Sequence, residues 1–173
     1  MRYFIDTEFI EYPCTIDLIS IGIVCEDGRE FYAISKEFDP KKASEWVKEN
    51  VLSSLPGMYV NLSNPSQEQK LKQESLLWKS RAQIKNGILK FIGDVIPEFW
   101  GYYADYDWVV FCWLFGSMID LPKGWPMYCL DLKQLCDDMG NPKLPEQGEG
   151  EHDALEDAKW NMEAYNFLTK GTP

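Results

Sequence analysis

Asp6 and Glu8 stand two residues apart in the segment RYFIDTEFI. Side chains alternate faces along an extended strand, so both carboxylates point the same way, about 7 Å apart along the chain. Their neighbours Tyr3, Phe4, Ile5, Phe9 and Ile10 are apolar or aromatic. Two like charges on one face of a core strand are costly unless a cation sits between them. A divalent ion such as Mg²⁺ or Mn²⁺ answers that cost, because hard cations prefer carboxylate oxygen. Taken alone, the pair also fits an edge strand with a solvated polar face.

A second acidic group lies in Ala104-Asp105-Tyr106-Asp107, between a strand and a helix. Asp105 is expected to cap the helix. Asp107 then falls in the first helical turn, where the helix dipole tolerates an anion. Ligand sites of α/β sheets open beyond strand ends, which suits this position. Two ordinary helix-start acids would read the same way.

The third group is Glu151-His152-Asp153-Ala154-Leu155-Glu156-Asp157. Asp153 and Glu156 have the spacing of a capping box, which starts a helix there. His152, the one histidine of the chain, then sits on the loop just before the helix. Asp157 sits in the second turn, at the border of the apolar stripe Leu155, Ala158, Met162 and Tyr165. A lone histidine is more often structural, but here a Gly-rich loop precedes it.

The elements that must position these groups follow from periodicity and turn signals. Arg2 to Ile10, Ile16 to Cys25 and Glu30 to Ile34 read as three strands joined by short turns, an antiparallel meander. Ile16 to Cys25 is apolar at nearly every position and is predicted to be central. Ala43 to Leu55 reads as a helix stopped by Pro56-Gly57. Asn61 to Gln67 is a polar loop. Gln73 to Val95 has a helical apolar period. Glu98 to Tyr103 is a short strand, Tyr106 to Phe115 a helix, Met127 to Leu130 a strand end and Leu132 to Met139 a helix. Asn141 to Gly150 is a Gly/Pro loop, and Asp153 to Leu168 is the last helix. Strands first, then strand–helix alternation, predict one α/β domain over residues 1–173, with a mixed five-stranded sheet flanked by helices.

Composition sets further bounds. No run of about 18 apolar residues exists, so no membrane partner is expected, and the acids at 6 and 8 rule out a signal peptide. The five cysteines include no CxxC pair; they read as reduced thiols of a cytoplasmic protein, not as a zinc site. A net charge of −11 speaks against a phosphate binder of the usual basic kind. Bound divalent ions and uneven charge are the two ways around it. Six basic residues stand against two acidic ones between Ser66 and Lys90. Lys70, Lys72 and Lys79 are its candidate contacts to a polyanion; a solvated helix face is the other reading.

In order, the segments FIDTEF, YADYDWVVF and EHDALEDAKWN resemble the motifs of the DEDDh 3′–5′ exonuclease superfamily. LISIGIV, DWVVFCWLFG and the Asp131-Leu132 segment after Pro126 resemble its small mycobacterial-type exoribonuclease branch, related to ribonuclease T. The resemblance implies a ribonuclease H-like fold and metal-dependent removal of nucleoside 5′-monophosphates from a 3′ end. It implies two ions, Mg²⁺ or Mn²⁺, held by Asp6, Glu8, Asp107 and Asp157, with Asp6 bridging and His152 as general base. Thr7 and Phe9 would supply a backbone contact and a base-stacking face. The implied partner is single-stranded RNA or an RNA 3′ overhang. DNA and a homodimer remain open, as does a silent binding module. One position departs from the family: Tyr103 stands where its second motif begins with Asn.

Overall fold

The computed structural model describes residues 1–57, 75–148 and 150–170. Its sheet grows from the strand β2 (Thr15–Cys25), in which every residue from Leu18 to Cys25 is buried. A strand apolar on both faces must be flanked and covered on both sides. It pairs antiparallel with β1 (Arg2–Tyr12) and with β3 (Glu30–Ser35). β1 in turn pairs parallel with β5 (Glu98–Gly101), and β5 with β6 (Leu130–Asp131).

With β4 (Trp78–Lys79) at one edge, the strand order is β4-β3-β2-β1-β5-β6, a mixed sheet consistent with the ribonuclease H-like fold. It has six strands among the described residues, not five. The sixth, β4 (Trp78–Lys79), pairs parallel with Ile34 and Ser35. It falls inside the stretch expected to be one helix from Gln73 to Val95. Ser80 makes the break. Its hydroxyl accepts from the Gln83 N–H and its own N–H donates to the Gln83 side chain, so α2 (Arg81–Ile92) begins there. Leu76 and Leu77 kept the helical spacing without belonging to the helix. The expected helix from Ala43 to Leu55 is also shorter: α1 (Glu45–Asn50) is flanked by single 3₁₀ turns. The remaining helices are α3 (Asp105–Phe115), α4 (Leu132–Asp138) and α5 (Ala154–Lys170).

Alternation along β1 sorts the core into layers. Tyr3 and Ile5 pack with Ile84 and Ile88 of α2 and Phe111 of α3. Phe4, on the opposite face, packs with Leu132 of α4 and Tyr165 of α5. Near α1, Ile10, Ile19 and Ile34 pack with Val51 and Leu52. Each fully buried isoleucine or phenylalanine contributes about 1.5–3 kcal/mol. Trp108 belongs to this core, stacked on Phe111 with ring centroids 5.1 Å apart, whereas Trp113 is exposed. No helix among the described residues is long and apolar enough to cross a membrane.

Two features of the fold open and furnish a cleft. β5 stops at Gly101, with its last β1 pairing at Phe4–Trp100. β1 therefore runs on past Ile5 with no β5 beside it, and the chain leaving β5 turns into α3 at that place. The start of α5 then lies directly on Gly22, which is opposite Asp6 in the β1–β2 register. A Cβ built on Gly22 would stand 2.6 Å from Leu155 Cα and nearer still to the Ala154 carbonyl, so any side chain there would push α5 away. Asn161 fixes the same helix, donating from Nδ2 to the Ile5 carbonyl at 2.9 Å.

Candidate active site

Asp6 and Glu8 point from β1 toward α5, as strand parity predicts. Thr7 points to the other face and meets α3. Its N–H and hydroxyl both donate to Asp107 Oδ1, at 2.8 and 2.5 Å. Asp107 is buried in the first turn of α3. Asp105 does not cap that helix. The cap position is Ala104, with no side-chain hydrogen bond, and Asp105 is the first helical residue, turned to solvent. The junction is held instead by Asp131, which accepts from the Ala104 N–H with one oxygen (2.9 Å) and from the Gln134 N–H with the other (3.0 Å). One aspartate thus ties the β5–α3 turn to the start of α4.

Tyr103, in this turn, has φ of 54°. Left-handed backbone favours Gly and Asn and costs a bulky residue about 1–2 kcal/mol. The tyrosine is therefore strained there, and it is 64% exposed on the cleft wall.

His152 also has positive φ, 72°. Its N–H donates to Asp157 Oδ2 at 3.1 Å, and its ring meets Trp46 of α1 edge-on, with centroids 4.8 Å apart. The capping box expected at Asp153 is present in one direction. Asp153 Oδ1 accepts from the N–H groups of Leu155 (2.9 Å) and Glu156 (3.2 Å), while the Glu156 side chain pairs with Lys159. The second oxygen of Asp157 accepts from the Gln147 side chain.

Asp6, Glu8, Asp107, His152 and Asp157 therefore face one cavity of about 520 Å³, with Trp46 on its wall. Thr7 and Phe9 line it too. Lys79 does not: it lies in β4, three strands from β1, or about 14 Å at ordinary strand spacing. Its ammonium donates to the Leu76 carbonyl. Lys70, Lys72 and the loop from Asn61 to Gln67 lie outside the described residues. Sequence reasoning missed Trp46 and Gln147. An isolated Trp in a one-and-a-half-turn helix and a Gln in a Gly/Pro loop carry no pattern.

The crowding of acids is expressed in their protonation. Burial holds the Asp6 carboxyl well above the usual range, and Asp107, Asp157 and Glu8 add to the effect. Glu8 is pushed up to about 8, by burial first and then by Asp157 and Asp107. Asp157 rises to about 7 through burial, against the opposing His152 N–H. Asp107 rises only to about 6, because the two Thr7 hydrogen bonds offset its burial.

This donor set suits a hard divalent cation, which lowers the cost of ionising grouped acids. Ligand atoms of Glu8, His152 and Asp157 all lie within 4.8 Å of one another. No cysteine joins this cluster, and all five are free thiols.

A mixed ribonuclease H-like sheet with grouped carboxylates and a histidine in a cleft beside its central strands defines a nuclease-type enzyme. Residues 1–169 match the 3′–5′ exoribonuclease Rv2179c-like domain, and the chain belongs to that family. It is 42% identical over 172 residues to the 3′–5′ exoribonuclease Rv2179c of Mycobacterium tuberculosis strain H37Rv, covering 98% of this chain and 94% of the relative. The 3′–5′ exoribonuclease MT2234.1 of strain CDC 1551 is similar to the same extent.

Proposed function

We propose that the protein hydrolyses RNA from its 3′ end and releases nucleoside 5′-monophosphates. The observation that carries this reading is the convergence of four carboxylates and the chain's one histidine on a single cavity of about 520 Å³. Asp6, Glu8, Asp107 and Asp157 would hold two divalent ions, Mg²⁺ or Mn²⁺. When bound, such ions neutralise phosphate charge and activate a water. His152, on the loop before α5, takes the proton of the attacking water, a task suited to an imidazole near neutral pH. Trp46 packed against its ring and the His152 N–H bonded to Asp157 limit where the imidazole can go. Phe9, whose ring meets Tyr106 edge-on, and Trp46 offer flat faces for a terminal base. Lys70, Lys72 and Lys79 would guide longer RNA.

The test is release of monophosphate from 3′-labelled RNA and DNA oligonucleotides with Mg²⁺, then with EDTA. RNA degraded faster than DNA, and neither with EDTA, is the expected result. Faster degradation of DNA would make the enzyme a DNA exonuclease. No release from either would leave a silent binding module.

A further inference from the structure

Behind Glu8, two buried hydroxyls have no well-aligned hydrogen-bond partner among the described residues. Ser20 stands opposite Glu8 in the β1–β2 register and opposite Ile34 in β2–β3. Tyr32 stands opposite Gly22, which is itself opposite Asp6. Directly paired residues of antiparallel strands share a face, so Asp6, Glu8, Ser20 and Tyr32 all point to the α5 side. Gly22 carries no side chain, and the space above it is taken by the start of α5. Less than 1 Å² of the Ser20 Oγ and of the Tyr32 hydroxyl oxygen reaches solvent, and neither makes a hydrogen bond among the described residues.

A buried hydroxyl without a partner is unfavourable, and a fold keeps few of them. Here two lie together, close enough for the Ser20 hydroxyl to favour the Tyr32 oxygen's charged form, but outside the geometry of a full hydrogen bond. The carboxyl groups whose charges reach the Tyr32 phenol are Asp153 and Glu8. Asp153 is already satisfied as the cap of α5, accepting two backbone N–H groups. The Glu8 carboxyl makes no hydrogen bond among the described residues. The donors and the acceptor that lacks one thus occupy the same sheet face.

We propose that Ser20 and Tyr32 are positioning residues for Glu8: their hydroxyls donate to the Glu8 oxygen left free when the other oxygen holds a divalent cation. The inference rests on the reading of Glu8 as a metal ligand. A carboxylate bound to a cation through one oxygen turns easily about its side-chain bonds. Donors fixed on β2 and β3 would hold it in one orientation and favour its charged form. Affinity for the cation is then set partly from the far side of Glu8, by residues that never touch it.

The test is calorimetric titration of Mn²⁺ into the wild-type protein, Tyr32→Phe, Ser20→Ala and the double variant, with ion-free melting temperatures for all four. Each single variant should bind Mn²⁺ about 10-fold more weakly, the usual effect of removing an outer-sphere partner. Each should melt at the wild-type temperature or above it without metal, since an unpartnered buried hydroxyl has been removed. Wild-type affinity in both variants would overturn the inference while leaving Glu8 a ligand. A lower ion-free melting temperature with unchanged affinity would also overturn it, by making the hydroxyls structural braces. If the wild type itself takes up no Mn²⁺, the metal reading of Glu8 falls, and the inference with it. Should Tyr32→Phe fail to fold, Ser20→Ala alone decides.

Discussion

Asp107 accepts both the backbone N–H and the hydroxyl of Thr7 on one carboxylate oxygen. This ties α3 to β1 across a hundred residues of chain and leaves Oδ2 without a hydrogen bond from Thr7. It is also why Asp107 rises only to about 6, below Asp157 at about 7 and Glu8 at about 8.

Thr7→Val keeps the backbone bond and removes the hydroxyl bond. The Asp107 carboxyl should then move further above about 6. The acidic limb of the rate–pH profile should shift upward, and the rate near pH 6 should drop by several-fold. An unchanged profile would mean that Asp107 does not need to ionise for turnover.

Asp6→Asn, Glu8→Gln and Asp157→Asn should each reduce RNA hydrolysis to background, more than the about 10–100-fold that loss of an outer-sphere partner costs. Each should raise the melting temperature of the ion-free protein, because repulsion and buried charge are relieved. The pH dependence has the same origin. The folded-state values of Glu8 and Asp157 lie near 8 and 7, above their unfolded values near 4. The folded protein therefore binds more protons between about pH 4 and 8, and its stability falls as pH rises through that window. Thermal melts at pH 6 and 8 should show the higher value at pH 6 without metal, and a smaller gap with saturating Mn²⁺. A melting temperature independent of pH and metal would count against a metal site at these acids.

His152→Ala should lower turnover about 10²–10⁴-fold, as loss of a general base does. Binding of nucleoside monophosphate should persist. A structural histidine would instead cost stability and leave the rate of the folded fraction unchanged. Rate and melting temperature measured on one preparation separate the two.

The basic stretch can be divided experimentally. Lys79 is engaged with the Leu76 carbonyl on the far strand of the sheet. Arg81 is engaged with Asp17 and Glu37. Lys70→Glu with Lys72→Glu should raise the Michaelis constant for long RNA and flatten its salt dependence, while a dinucleotide is turned over as before. Lys79→Glu alone should have the smaller effect. Equal effects on long and short substrates would place the route of RNA elsewhere.

Strand parity alone put Asp6 and Glu8 on one face, and the Asp153 cap put His152 on a loop and Asp157 one turn into α5. Those relations are local, fixed by a period of two or by a few residues of helix, so the amino-acid order determined them. The antiparallel meander and the order of the motifs were equally legible, because apolar runs and turns mark themselves. The rest depended on packing between distant segments. Ser80 ended one element and began another where apolar spacing ran on unbroken. Gly22 let α5 come down onto the sheet, so that Asp157 reached Asp6. Thr7 met Asp107, Gln147 met Asp157, and Trp46 met His152 only once α1, α3 and α5 had docked. Such contacts arise from the way helices seat on a particular sheet, and no spacing within the chain encodes them.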